Sequence, residues 1–389
     1  MKLPSKLPDT GTSIFTVMSQ LAAEHKAINL GQGFPDFNPD QRLLDLVSDA
    51  MAAGHNQYPL MTGIEPLREI IASKINSIYN HSYDSRDEVT VTSGATEAIM
   101  VAVLATVHSG DEVIVIEPNY DSYLPAIRLA HGTPVPVPMI APTEHQDTFK
   151  IDWTRIQKAI TPRTKMIMLN FPHNPTGAVL TEEDLDQLET IVSETDIVLL
   201  SDEVYEHIVF TPTGHLSISS RKALANRSFV ISSFGKTTHT TGWKVGYCCA
   251  PADMTREFRK VHQFVVFTVP SPFQHALAKY TGDPSTYRGL SNFYKTKRDR
   301  LVTGLQKTRF KTYECPGTFF LLADYSSISS LSEADFSILL TKEYGVTVIP
   351  LSAFYADSNA PHSNHQIVRF CFAKQDATLD AAIERLLRL

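Results

Sequence analysis

A chain of 389 residues, 43% apolar and 20% charged, is too long for one ordinary core yet has normal globular composition, which predicts two domains with room for a deep, dry site. Its net charge of −7 contains no block of like charges, and no lysine or arginine run interleaves with aromatics, which excludes nucleic acid and other polyanions as partners. The four cysteines, Cys248, Cys249, Cys315 and Cys371, lack C-x-x-C spacing, which excludes the usual zinc and redox sites and makes them reduced core residues.

The first forty or so residues carry turn signals, "LPDTG" and "GQGFPDFNPD", with little core of their own, so they are expected to pack onto another part of the fold. Prolines interrupt the N-terminus before an apolar signal-like segment can form, and nowhere is there an apolar run long enough for a membrane span, so a cytoplasmic location is expected. "GQGFPDF", from Gly31, begins like a dinucleotide fingerprint. Asp36 replaces its third glycine and Pro35 blocks the helix start, so its glycines serve a sharp turn or a close ligand approach instead.

From Glu88 to Pro251, short apolar runs repeatedly end in polar or glycine residues and give way to helical patterns: "EVTVTSGATEAIMVAVLATV", "DEVIVIEPNYDSYLPAIRLA", "TKMIMLNFPHNPTG", "DIVLLSDEVY", "SFVISSFGKT" and "KVGYCCAP". Runs apolar on both faces and alternating with helices predict an α/β fold with a largely parallel sheet covered on both sides. Ligands of such sheets sit at the carboxyl ends of the strands. That rule selects Gly94, Ala95 and Thr96, Tyr120, Asn174, Asp202 and Tyr205, and Ser233 and Lys236. Past the polar helix "YRGLSNFYKTKRDRLVTGLQK", shorter strands and a closing helix from about Asp376 predict a smaller α+β domain.

Each candidate has a bland reading. Lys236 could be a solvated loop lysine; in a partly dry pocket it would instead be a free amine able to form a Schiff base. Lys244, between Trp243 and Val245, needs an anionic partner if it is buried. Asp202 could cap a turn, or stand as a carboxylate at the ligand edge of the sheet. "HNPTG" could merely bend the chain at Asn174, and "SGATEA" reads as a strand-to-helix junction whose free N–H groups suit phosphate. Arg369, in the core-like strand "IVRFCFA", either pairs with a structural carboxylate or holds a substrate carboxylate in two parallel hydrogen bonds.

A Schiff-base lysine, a phosphate cradle with its own cation, a carboxylate, an aromatic plane and a carboxylate-binding arginine together describe pyridoxal phosphate and an amino acid. The motifs "LGQGFPDF", "QYPLMTG", "VTSGATEA", "GDEVIVIEPNYDSY", "HNPTGAV", "SDEVYEH", "SSFGKT", "TGWKVGY", "GTFFLL" and "VRFCFAK" span nearly the whole chain. In that order the sequence resembles the fold type I, class I/II aminotransferases, especially the branch of kynurenine aminotransferase, glutamine transaminase K and bacterial methionine aminotransferase.

The resemblance implies a large cofactor-binding domain over 46–285 with a mostly parallel seven-stranded sheet, an N-terminal arm over 1–45 shared with the small domain, and a C-terminal small domain over 286–389. It implies that Lys236 holds the cofactor and moves the substrate proton, that Asp202 faces the pyridine nitrogen, and that Tyr205 and Asn174 bond the 3′ oxygen. By the same resemblance Tyr120 stacks on the ring, while Gly94, Ala95, Thr96, Ser233 and Lys244 surround the phosphate. Arg369, with Asn174 and the Gly33 backbone, takes the substrate α-carboxylate. Tyr58 and Phe267 resemble residues that cross a homodimer interface to the neighbour's site.

The implied reaction is ping-pong transfer of an amino group from an amino acid to a 2-oxo acid, with no metal. Thr238, Thr240 and Thr96 stand where relatives carry larger side chains, which predicts a weaker aromatic wall, and "FVVFTVPSP" offers no arginine for a second carboxylate. A neutral donor is therefore expected, of methionine, glutamine, aromatic or kynurenine type. Two alternatives share the scaffold: a cysteine-S-conjugate β-lyase, and a non-catalytic cofactor-sensing module, disfavoured because every catalytic position is occupied and no basic winged-helix segment precedes the domain.

Overall fold

A computed structural model describes residues 3–8, 10–143 and 146–389. The N-terminal helix Ile14–Glu24, capped by the Ser13 hydroxyl, leads into a short strand β1 (Ile28–Asn29). The central sheet follows, from β2 (Val89–Thr92), β3 (Glu112–Glu117), β4 (Thr133–Pro138), β5 (Thr164–Asn170), β6 (Val198–Asp202), β7 (Ser228–Ser233) and β8 (Gly246–Cys249). Their spatial order is β2-β8-β7-β6-β5-β3-β4, and only β8 runs antiparallel to its neighbours. The expected mostly parallel, seven-stranded sheet is what forms.

Local chemistry accounts for this order. Every residue of β2, β3 and β8 is buried, the condition of strands covered on both faces. β4 reads "TPVPVP", and three prolines lacking N–H donors are tolerated because the strand sits at the sheet edge. The chain winds outward from β3 to β4 in one direction and from β5 through β6 to β7 in the other. The crevice at the carboxyl ends of β3 and β5 is thus the point where ligands of open α/β sheets bind.

The C-terminal layer contains β9 (Lys311–Thr312), β10 (Phe320–Asp324), β11 (Val346–Thr347), β12 (Ile349–Pro350) and β13 (Ile367–Cys371). Four of these make an antiparallel sheet in the order β12-β13-β10-β9. β11 pairs in parallel with β1, Ile28 opposite Val346, so the N-terminal residues that lack a core of their own are carried by the C-terminal layer. One apolar cluster runs through both layers, joining Met18, Ile116, Ile167 and Leu199 to Leu322, Ile349 and Phe354. All four cysteines are free and buried. Among the described residues, no helix is long and apolar enough to cross a membrane.

Candidate active site

β7 ends at Ser233, whose hydroxyl accepts a hydrogen bond from the Gly235 N–H at 3.1 Å and so starts the single helical turn Phe234–Thr237. That turn projects Lys236 into a cavity of about 390 Å³ at the carboxyl edge of the sheet. Its Nζ donates to the Gly33 carbonyl at 2.7 Å and lies 5.0 Å from the Phe319 ring centre and 5.6 Å from that of Tyr205. Burial lowers the pKa of Lys236 to about 8; the positive charges of Arg369 and Lys244 push the same way, against Cys371 and Asp202. A useful share of this lysine is therefore a free, nucleophilic amine near neutral pH.

Asp202 terminates β6, in register with Asn170 on β5, and is buried. Its Oδ2 accepts from the Tyr123 hydroxyl at 2.7 Å and its Oδ1 from the Val204 N–H at 3.3 Å. Burial raises its pKa to about 6 against the opposing pull of these two donors. Among the described residues no cation stands within 4.0 Å of it. A carboxylate fixed this firmly but left without a counter-charge suits a positively charged group on the cavity side.

The other end of the cavity is built for an anion. β2 runs through Ser93 into the helix Gly94–Thr106, so the first N–H groups of that helix face the cavity. Gly94 sits at φ +72°, and a Cβ there would lie 3.1 Å from the Nζ and Cε of Lys244, so only glycine leaves that space open. Lys244, itself left-handed at φ 54°, reaches the Thr96 hydroxyl at 3.5 Å. No carboxylate of the described chain pairs with it. Although Lys244 is exposed, desolvation by its neighbours lowers its pKa, and no described side chain supplies an anion to offset this.

Arg369 lies on β13, opposite Leu322 of β10 and Ile349 of β12, and is wholly buried. Its Nη1 donates to Asn174 Oδ1 at 2.6 Å and its Nη2 to the Gly31 carbonyl at 2.9 Å, while its Nε finds no partner. The guanidinium lies 3.7 Å from the Phe320 ring centre and 4.7 Å from that of Phe354. Burial brings its pKa down to about 10, which leaves it charged at neutral pH. The structural-carboxylate reading of this arginine finds no support, because no carboxylate pairs with it within 4.0 Å among the described residues.

Gly94, Ala95, Thr96, Tyr120, Asn174, Asp202, Tyr205, Ser233, Lys236, Lys244, Gly33 and Arg369 all line this one cavity. Tyr58 and Phe267 do not. They stack edge to face 5.6 Å apart and are 81% and 47% exposed, outside the cavity of their own chain. Thr238 and Thr240 correct an expectation: both are buried and bond each other at 2.7 Å, so they form no part of the cavity wall. Phe15, Tyr120, Tyr205 and Phe320 supply the aromatic lining instead.

Sequence reasoning missed Tyr123, which reads as a core aromatic of the helix Tyr123–Leu129 and yet holds Asp202. It also missed Phe15 and Gln32, which reach the cavity from the N-terminal segment, and Asp121 beside Tyr120. The spacing of Tyr123 and Asp121 just beyond the carboxyl end of β3 is the signal that could have found them.

These features fit pyridoxal phosphate with a carboxylate substrate. The Gly94 cradle and Lys244 match the phosphate, the uncompensated Asp202 matches a protonated ring nitrogen, and the orphaned Nε of Arg369 awaits a further acceptor. Residues 25–386 match the family model for aminotransferase class I and II. Methionine aminotransferase of Escherichia coli is 46% identical over 386 residues, covering 99% of this chain and 98% of that protein. The solved N-succinyldiaminopimelate aminotransferase of Mycobacterium tuberculosis is 40% identical with a TM-score of 0.94, covering 100% of both chains. Kynurenine–oxoglutarate transaminase of Dictyostelium discoideum is 34% identical over 419 residues, covering 99% of this chain and 96% of that one.

Proposed function

Since the chain belongs to the class I and II aminotransferases, which are pyridoxal-phosphate-dependent enzymes, we propose that it moves the α-amino group of a neutral amino acid of methionine type to a 2-oxo acid. The observation that carries this reading is the convergence of Lys236, Asp202 and Arg369 on one cavity whose charged groups include no second arginine. Every lining cation is already committed. Lys236 is the nucleophile, Lys244 faces the anion cradle, and Arg369 takes one carboxylate. The N-succinyldiaminopimelate relative acts on a more acidic molecule, but no further lining cation here would meet an extra carboxylate.

Bound in this cavity, pyridoxal phosphate supplies an aldehyde that condenses with amines and a ring that withdraws electrons from the substrate α-carbon. Gly94, Ala95 and Thr96 would offer N–H and hydroxyl donors to the phosphate, with Ser233 Oγ and Lys244 Nζ closing on it. Tyr120 would give the ring an aromatic face. Burial holds the Tyr205 phenol well above its ordinary pKa, so it remains a hydrogen-bond donor, and Asn174 keeps its amide N–H₂ free for the ligand because Arg369 occupies its oxygen. The Lys236 amine would take the proton from the donor's α-carbon and return it on the other side of the transfer. Arg369 orients the donor through its carboxylate, which fixes which α-bond faces Lys236.

Several further features support the setting. Tyr58, Leu60, Phe264 and Phe267 are exposed apolar side chains, with the Thr268 hydroxyl bonded to the Leu60 carbonyl at 3.5 Å. A second copy of the chain would cover them, forming a homodimer in which Tyr58 and Phe267 approach the neighbour's cavity. Four free, buried thiols and the absence of disulfides among the described residues favour a reducing, cytoplasmic location.

A panel of donors against one oxo acid tests the substrate class: kcat/KM for methionine, glutamine and phenylalanine should each exceed that for aspartate and glutamate, and the reverse order would refute it. Arg369→Ala should lower kcat/KM by about 10²-fold or more for every donor alike. It removes the buried guanidinium, whose Nε is without a partner, that would take the carboxylate all amino acids share. A loss confined to one class of side chain would instead make Arg369 a side-chain reader.

A further inference from the structure

Asp121 follows Tyr120 just beyond β3 and lines the same cavity as Arg369, Gln32 and Phe320. Under the proposed function every other charge in the cavity has a partner on the cofactor or substrate, and each is also held by neutral groups of the chain. Asp202 is held by Tyr123 and Val204, Lys236 by the Gly33 carbonyl, Arg369 by Asn174 and Gly31, and Lys244 by Thr96 against Gly94. Asp121 likewise forms no ion pair within 4.0 Å among the described residues, and in that reading it is left without a ligand partner, although it feels the field of Arg369. Burial pushes its pKa up and the charge of Arg369 pulls it down, as expected for a half-buried carboxylate on the wall near that arginine.

We propose that Asp121 is a specificity-determining residue that excludes donors and acceptors carrying a second carboxylate. This rests on the neutral-donor reading and supplies its cause. A neutral amino acid brings one carboxylate, which Arg369 compensates. A dicarboxylic substrate brings a second negative charge that meets no free cation and is repelled by Asp121. Like-charge exclusion of this kind discriminates by a repulsive element, with no new contact to the favoured substrate.

The test uses unreactive probes on the cofactor-loaded enzyme: glutarate as the dicarboxylate and 4-(methylthio)butanoate as the thioether monocarboxylate, with binding measured by calorimetry. Asp121→Asn and Asp121→Ser should each shift the ratio of the two affinities toward glutarate by roughly tenfold or more, the effect of removing one like charge across a partly screened site. Asp121→Glu keeps the charge and should retain the wild-type ratio. An unchanged ratio in both neutral variants, or a shift toward the thioether, would overturn the role of Asp121 while leaving the neutral-donor reading intact. A wild-type enzyme that itself binds glutarate more tightly than the thioether acid would instead refute that reading, whatever the variants do.

Discussion

Lys236→Ala should abolish transamination, with turnover reduced about 10⁴-fold or more, while the protein stays folded. The expected loss is large because the proposed mechanism has one atom both form the covalent link and relay the α-proton, and proton relay alone is worth about 10²–10⁴. Lys244 cannot substitute, because its left-handed backbone at φ 54° and its contact with Thr96 commit it to the Gly94 end of the cavity. The fold should tolerate the change, since the folded protein holds this lysine near pKa 8 rather than 10.5. A cation whose pKa falls on folding costs stability below about pH 8, and this cost fades as pH rises from there toward 10.5, where the unfolded chain also loses the proton. Removing Lys236 should therefore leave the melting temperature at pH 7 little changed or slightly raised. Measurable turnover in the purified, folded variant would mean that another group is the nucleophile.

Asp202→Asn carries the second-largest expected effect. The exchange keeps the shape of the side chain and removes its charge, and a unit charge pair at about 4 Å with an effective dielectric near 20 is worth about 4 kcal/mol. That corresponds to roughly three pKa units, so kcat should fall about 10³-fold. The anion cradle of Gly94, Thr96 and Lys244 and the carboxylate grip of Arg369 stay in place, so cofactor occupancy and donor affinity should change far less than kcat. Saturation kinetics on the loaded variant separate the two. A drop smaller than about tenfold would show that Asp202 does not act through its charge.

Much of the fold was legible because its strands are apolar on both faces: "EVIVIE" and "VLLSD" have no face to offer water, so a parallel sheet covered by helices is the arrangement that satisfies them. The rule that ligands gather at the carboxyl ends then brought Asp202, Ser233, Lys236 and Gly94 to one edge without knowledge of any contact. What stayed hidden depends on direction rather than residue type. Tyr123 belongs to a helix and looks like core, yet its hydroxyl turns back to Asp202. Phe15 enters the cavity from a segment far away in sequence that β1 anchors beside β11. Thr238 and Thr240 are placed by sequence on the substrate wall, but His239 between them takes φ 59° and the two hydroxyls bond each other. The role of Arg369 needed coordinates too, since only they show that no structural carboxylate pairs with it.

The most direct test is chemical and needs no variant. The cofactor-loaded protein is reduced with borohydride, digested, and its peptides are sequenced by mass spectrometry. A stable phosphopyridoxyl adduct on Lys236 is the expected result; an adduct on Lys244 or any other lysine, with Lys236 unmodified, would contradict the assignment on which the mechanism stands.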